Sequence, residues 1–415
     1  MLKDNYKVFF LILFVFQTNV LLKAQDINIR SLHIFAKNDP LNFPVLSFNR
    51  GKTGKLIIEF DVEAQSVPDL NLVFRFCDNN WKPYENLALQ NDGYNTEYSI
   101  WLQSTPHTLG AGFHYKGSFP NKNITFPFPG KWQVYITDVQ DTSQVYDWGR
   151  FIVAEKFIPL KTKIEKGRMQ GEISDNNELD RIFNLSVEFN IPDSLYPANI
   201  EQIEIIENHK DEYPVLLTKE RYVDHHFFEW NGTNEFKFKV DNLKPGNEYR
   251  RVNLKNKNLY SPPVTKAHFY NSIDYSRFYR KGKKDFNGGF KLVNYKNEYA
   301  DYMTAIFEFK PPNPAGEDIF IVGPFTNWEV LPGYKLDLKN SVYSIGIDLK
   351  RGVYDYQYVT GVINGNKVED IDWYIYEGNF WETENVYNIL LYYRTDDLGG
   401  YDKIIGFKRI LSRGL

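Results

Sequence analysis

Three groups of residues in this 415-residue chain have types and spacing that invite a chemical reading. His225 and His226 are adjacent, but a metal needs several His, Cys or carboxylate donors converging, and neighbours on a strand point to opposite faces. The pair reads as a surface turn. Glu369, Asp370 and Asp372 offer carboxylates for cleaving a glycosidic bond, a reaction that needs two of them about 5 to 9 Å apart across the sugar. Their spacing fits a solvated turn between strands instead. Cys77 is the single cysteine, so no internal disulfide can form. Nucleophile elbows, phosphate loops and zinc-protease motifs are absent, since Gly-x-Ser-x-Gly, the full Gly-x-x-x-x-Gly-Lys-Ser/Thr loop and His-Glu-x-x-His do not occur. The expectation is a non-enzymatic protein with no catalytic residue, no cofactor and no metal.

The elements that carry these residues follow from composition. Aromatic residues make up 17% of the chain, with 29 Tyr and 32 Phe against 3 Met, which suits half-buried pleated surfaces better than helices. An all-β protein is expected. A formal charge of -4 gives no long-range pull towards nucleic acid. Lys3 and Lys7, the apolar run Val8 to Phe16 and the small Ala24 read as a secretory signal peptide over 1–24, cleaved so that the mature chain starts at Gln25. That run falls short of the ~20 apolar residues a spanning helix needs. The mature chain is expected to be exported, periplasmic and not membrane-spanning.

Lys55 to Val62, Leu70 to Phe76 and Gly130 to Asp138 alternate with period two, and Arg150 to Val153 closes a hairpin with the last of these. Phe157-Ile158-Pro159 is a break, because Pro donates no ladder hydrogen bond. Alternation resumes at Phe183 to Phe189, Ile200 to Ile206, Phe236 to Val240 and Tyr249 to Leu254. The basic, glycine-containing stretch from Asn271 to Lys296 reads as a linker or exposed loop. Tandem immunoglobulin-like or early-set β-sandwiches are therefore expected at 25–156, 157–285 and 286–415.

The third unit carries Asp318 to Trp328, Tyr343 to Leu349 and Gly352 to Val359, an order that resembles early-set sandwiches binding glycogen-like glucans. In those relatives an aromatic matched by Trp328 stacks on a sugar, and a second Trp follows the last strand's turn. Here that turn, Asn364 to Val368, has no aromatic. A sugar platform needs two apolar faces, so the resemblance implies an inherited fold with its ligand lost.

Across its length the chain resembles the plug protein family of the Bacteroidetes type IX secretion system, once catalogued as a domain of unknown function. The motifs are Phe74 to Pro83, Phe119-Pro120-Asn121 ahead of Gly130-Lys131-Trp132, and Gly378 to Tyr387 followed by Leu391 to Arg394 and Tyr401 to Gly406. The family usually has His where this chain has Phe76. The resemblance implies a periplasmic subunit, held at the inner side of the outer membrane, that occludes a large outer-membrane β-barrel translocon when cargo is absent. It implies no small-molecule substrate. Trp81 and Tyr84, on a turn-forming aromatic segment, and Phe126 and Phe128, in Phe-Pro-Phe-Pro, are the candidate partner-binding residues. A Trp beside a strand end more often fills the sandwich edge than meets a partner, and the two Phe rings can cap the core. The rival readings are a periplasmic glucan-binding module and an accessory protein of a glycoside hydrolase.

Overall fold

The computed structural model describes residues 26–90, 95–169, 178–220, 224–269, 272–276, 284–313 and 316–412. The signal peptide expected over 1–24, and the mature start at Gln25, lie outside the described residues. Strand dominates, at 53% against 5% helix, as the aromatic, Met-poor composition leads one to expect.

In the first sandwich, a four-stranded sheet runs in the order Asn28–Ala36, Leu56–Glu63, Phe113–Phe119, Gln103–Ser104. It faces a six-stranded sheet in which Gly130–Asp138 lies between Val145–Glu155 and Leu70–Cys77. The hairpin read from the sequence is there, with Phe151 opposite Trp132. Phe60, Phe74, Phe119, Phe126, Trp132 and Phe151 fill the space between the sheets.

The middle sandwich pairs Lys161–Arg168, Arg181–Asn190, Glu235–Leu243 and His226–Trp230 in one sheet. Its second sheet contains Val215–Thr218 and Ile200–Glu207, and is completed by Val386–Thr395 and Tyr401–Leu411 from the end of the chain. The sequence reading put that C-terminal hairpin in the third unit. In the structure it pairs with Ile200–Glu207, Ile203 opposite Leu391, and its Ile389, Leu391 and Ile405 join the middle core.

The third sandwich is thereby inserted into the middle one. Its long strand Gly352–Asn364 pairs with Arg250–Asn253, Phe290–Leu292, Asp318–Val322 and Lys367–Asp372. Arg250–Asn253, read from the sequence as part of the second unit, therefore belongs here. The facing sheet is built on Tyr302–Lys310 and Val342–Lys350.

Several strands depart from the expected alternation. Leu56–Glu63, Gly130–Asp138 and Val386–Thr395 are buried on nearly every residue. A strand with both faces covered has no solvent side on which to alternate. The covering layer is the neighbouring sandwich: Phe43, Trp81, Ile152, Ala154, Ile206, Leu390, Tyr392 and Ile404 form an apolar cluster between the first and middle units. A second cluster around Tyr249, Phe320, Trp328 and Val359 lies between the middle and third units. No helix of the described residues is long and apolar enough to cross a membrane.

Candidate functional site

Side-chain chemistry concentrates where the sandwiches meet. After strand Leu70–Cys77 the chain turns on Asp78, whose Oδ1 accepts the backbone N–H groups of Asn80 and Lys82, each at 2.9 Å. The turn leaves Trp81 at φ 65° and directs its indole inward, where 7% of the residue is exposed. Lys131 Nζ lies 4.6 Å from the centre of that ring and the Arg150 guanidinium 4.8 Å, so two cations share one π face system.

Lys131 belongs to the first sandwich but finds its anion on the middle one. Its Nζ donates to Glu204 at 2.8 Å and to the carbonyl of Asn79 at 2.8 Å, while Tyr392 donates its hydroxyl to Glu204 at 2.5 Å. Glu204 is wholly buried, and burial raises the Tyr392 phenol well above its usual range, so it stays a donor. Nearby, Asp402 accepts the Asn79 N–H at 3.1 Å, the Tyr84 hydroxyl at 3.2 Å and the Arg394 guanidinium at 2.9 Å. The Phe74 to Pro83 and Tyr401 to Gly406 motifs, more than three hundred residues apart, are thus two halves of one clasp.

Of the four residues nominated as partner contacts, Trp81 and Phe126 are buried and Tyr84 and Phe128 half-buried. Phe126 is a core residue, its ring 5.3 Å from Phe74, 5.2 Å from Trp132 and 4.9 Å from Phe151. Its proline neighbours keep it out of a strand, but the ring has no route to an outside partner while the sandwich is closed. Phe128 lies on the seam, 5.3 Å from Phe76 and 5.4 Å from Tyr401. Tyr84 stacks on Phe76 at 5.3 Å beneath Asp402, and Trp81 fills the joint. Cys77 is buried, and desolvation pushes its thiol up to about 12, so it offers no thiolate.

A second clasp joins the first and third units. Asp61 is buried and accepts from His114 Nδ1 at 2.7 Å, the Tyr302 hydroxyl at 2.7 Å and Lys350 Nζ at 2.6 Å. Burial alone would raise its pKa, but the His114 and Lys350 interactions and the Tyr302 hydrogen bond outweigh this and hold it below its ordinary value. His114 also stacks on Tyr295, centroids 3.7 Å apart. The Gly378 to Tyr387 motif ties the middle unit to the third: the Asn379 side-chain amide donates to the carbonyl of Arg181 at 2.7 Å, and its oxygen accepts the Gly246 N–H at 2.8 Å.

All three units border a cavity of about 90 Å³ lined by His33, Arg150, His209, Asp211, Trp328 and Glu329 among others. Arg150 pairs with Asp211 at 3.2 Å and with Glu212. Burial, then the Glu212 charge, raises Glu329 to about 7, and burial raises Asp211 to about 6. Burial lowers His33 to about 3 and His209 to about 4; both are neutral, and each turns Nε2 to a carbonyl, Pro40 at 3.1 Å and Leu41 at 2.8 Å. A nitrogen facing a carbonyl oxygen must carry the proton, which fixes each tautomer. Gly288 and Gly289, expected in a linker, pack here. A Cβ on Gly289 would stand 2.7 Å from the Leu41 carbonyl, so only glycine lets the third unit approach the first this closely.

The residues first singled out for chemistry remain apart. His225 is exposed in a turn at φ 63°, and Glu369 accepts from Asn364 at 2.9 Å on an exposed hairpin. Asp372 Oδ1 accepts the Tyr374 N–H at 2.7 Å and the Ile375 N–H at 3.0 Å, closing a turn. Trp328 is buried, its Nε1 donating to the Gly288 carbonyl at 2.8 Å and its ring 4.3 Å from Tyr249. It presents no open face to a sugar. Among the described residues no group of three or more His, Cys, Asp and Glu is placed to hold a metal.

Residues 29–155 match the family model of the type 9 secretion system plug protein 1st domain. In fold the chain is similar to a hypothetical protein from Parabacteroides merdae, with a TM-score of 0.75 and 18% identity over 93% of this chain and 98% of that one. A bacterial ice-binding adhesin of 1.5 MDa aligns over 92% of this chain and 95% of its own, but with 8% identity and a TM-score of 0.15, too low for a structural argument. No curated protein matches the chain.

Proposed function

Because the first sandwich, residues 29–155, belongs to the first-domain family of type 9 secretion system plug proteins, we propose that this chain is a non-enzymatic plug that binds and occludes the outer-membrane barrel of that system from the periplasmic side when cargo is absent. The observation that carries the reading is that the Phe74 to Pro83, Gly378 to Tyr387 and Tyr401 to Gly406 motifs, with Lys131, are spent on joints between sandwiches rather than on a cleft. Lys131, Glu204 and Asp61, buried and paired across unit boundaries, resist separation because parting them strands a charge in a desolvated place. Close-packed sandwiches joined in this way make a stiff body, and a stiff body closes a pore by bulk.

The test is permeability. Entry of a large, normally excluded antibiotic is compared in wild-type, deletion and complemented strains, with cargo secretion followed in parallel. A plug predicts a leaky outer membrane in the deletion strain, reversed on complementation. Unchanged permeability with secretion fully blocked contradicts occlusion and favours an assembly role. Export is tested separately by N-terminal sequencing of the periplasmic protein, expected to begin at Gln25 and not at Met1.

A further inference from the structure

The strands that clasp the middle unit run to the opposite pole of the first sandwich, where they end in three neighbouring loops. The Ile100 N–H donates to the Leu70 carbonyl at 3.1 Å and the Val139 N–H to the Asp69 carbonyl at 3.3 Å, setting residues 64–69, 100–102 and 139–144 side by side. Among the described residues this pole exposes apolar side chains: Trp101 at 90%, Val67 at 61%, Val145 at 45% and Val139 at 39%. The charged residues of these three loops are all acidic. Residues 64–70, 98–104 and 138–145 contain Asp69, Asp138 and Asp141 but no Lys, Arg or His. Two of these carboxylates are fixed by their own turns, Asp138 by the Gln140 N–H at 2.7 Å and Asp141 by the Ser143 hydroxyl at 2.6 Å. The Ser143 hydrogen bonds hold Asp141 below its ordinary value, so it remains charged in neutral and mildly acidic media.

We propose that this pole is the docking surface of the chain, and that its occupant is a cationic protein face: Lys or Arg side chains around an apolar pocket that receives Trp101. The partner rests on the plug reading, so the face is assigned to the periplasmic rim of the translocon barrel. An exposed Trp is a poor solvent-facing residue and a common interface anchor, since burying its ring releases a large apolar area. Three carboxylates around it select for positive charge and repel phosphate backbones and anionic lipid headgroups. The binding energy centres on Trp101, and the aspartates set encounter rate and salt dependence.

The experiment uses the full mature chain and the barrel complex purified from the native outer membrane, with binding followed by surface-immobilised kinetics. Trp101→Ser is expected to weaken binding at least about tenfold, mainly through faster dissociation. Asp69→Lys is expected to slow association and flatten its salt dependence. Leu338→Ser, at an exposed leucine on the third unit, should bind as wild type does, and circular dichroism should show all three variants folded. Wild-type failure to bind the barrel overturns the plug reading and this assignment with it. Tight wild-type binding that Trp101→Ser and Asp69→Lys leave unchanged overturns the surface alone.

Discussion

Trp81 and Trp101 sit at opposite ends of one sandwich, and their surroundings differ in almost every respect. Trp81 lies beyond the Cys77 end of strand Leu70–Cys77, enclosed by Phe43 and Ile152 and flanked by two cations whose anions come from the middle unit. Trp101 lies beyond the Leu70 end, bare, among loops that carry acids only. At one end charge is buried and paired within the chain; at the other, charge of one sign is left facing outwards. A protein that must be rigid within itself and sticky towards something else divides those tasks between the two ends of the same strands.

The largest effect should come from breaking the paired end. Glu204→Ala leaves Lys131 buried without its anion and should lower unfolding stability by about 4 kcal/mol, measured by denaturant titration. The double variant Lys131→Met, Glu204→Leu removes both charges and should recover most of that loss; if it is as unstable as the single variant, the ion pair is not what holds the joint. Phe126→Ala should destabilise by about 3 kcal/mol through a core cavity. Any effect of this variant on docking should then scale with the fraction unfolded.

A smaller effect concerns the meeting point of the three units. Glu329 has a folded pKa of about 7 against an ordinary 4.5, so the folded state binds its proton more tightly. Its contribution to stability is complete below pH 4.5 and is lost as pH rises through 7. Glu329→Gln, which cannot ionise, should therefore stabilise the protein at pH 8, by roughly 1 kcal/mol after allowance for its partial exposure, and change little at pH 4.5. His33 and His209 titrate in both variants, so they drop out of the difference. Equal effects at both pH values would remove the carboxylate from the account of this joint. The smallest effect belongs to the bare end: Trp101→Ser should shift stability by no more than about 0.5 kcal/mol, because its ring packs against little.

Much of the fold was legible because alternation reports strands directly, as in Phe183 to Phe189, whose Phe183, Leu185, Val187 and Phe189 all enter the middle core. The C-terminal hairpin was misplaced because period-two patterning says that a strand exists and not which strand it meets. Val386–Thr395 finds Ile200–Glu207 across almost two hundred residues. The joints were hidden for a related reason. Lys131 and Asp61 occupy strand positions that look solvent-facing when only one sheet is considered, and become buried only when a second sandwich covers them. Glu204 did leave a mark, a lone carboxylate between Ile203 and Ile205-Ile206. Trp101 left none: nothing in Ile100-Trp101-Leu102 separates an exposed ring from a buried one, so the turn-borne Trp81 drew attention instead.

Hydrogen–deuterium exchange of the full chain, free and bound to the purified translocon barrel, tests the division between the two ends most directly. The account predicts that residues 76–84 and 401–406 are already protected in the free protein and change little on binding, while 64–69, 100–102 and 139–144 exchange faster than the clasp in the free protein and slow in the complex. Protection gained at the clasp, with exchange of those loops unchanged in the complex, would contradict it.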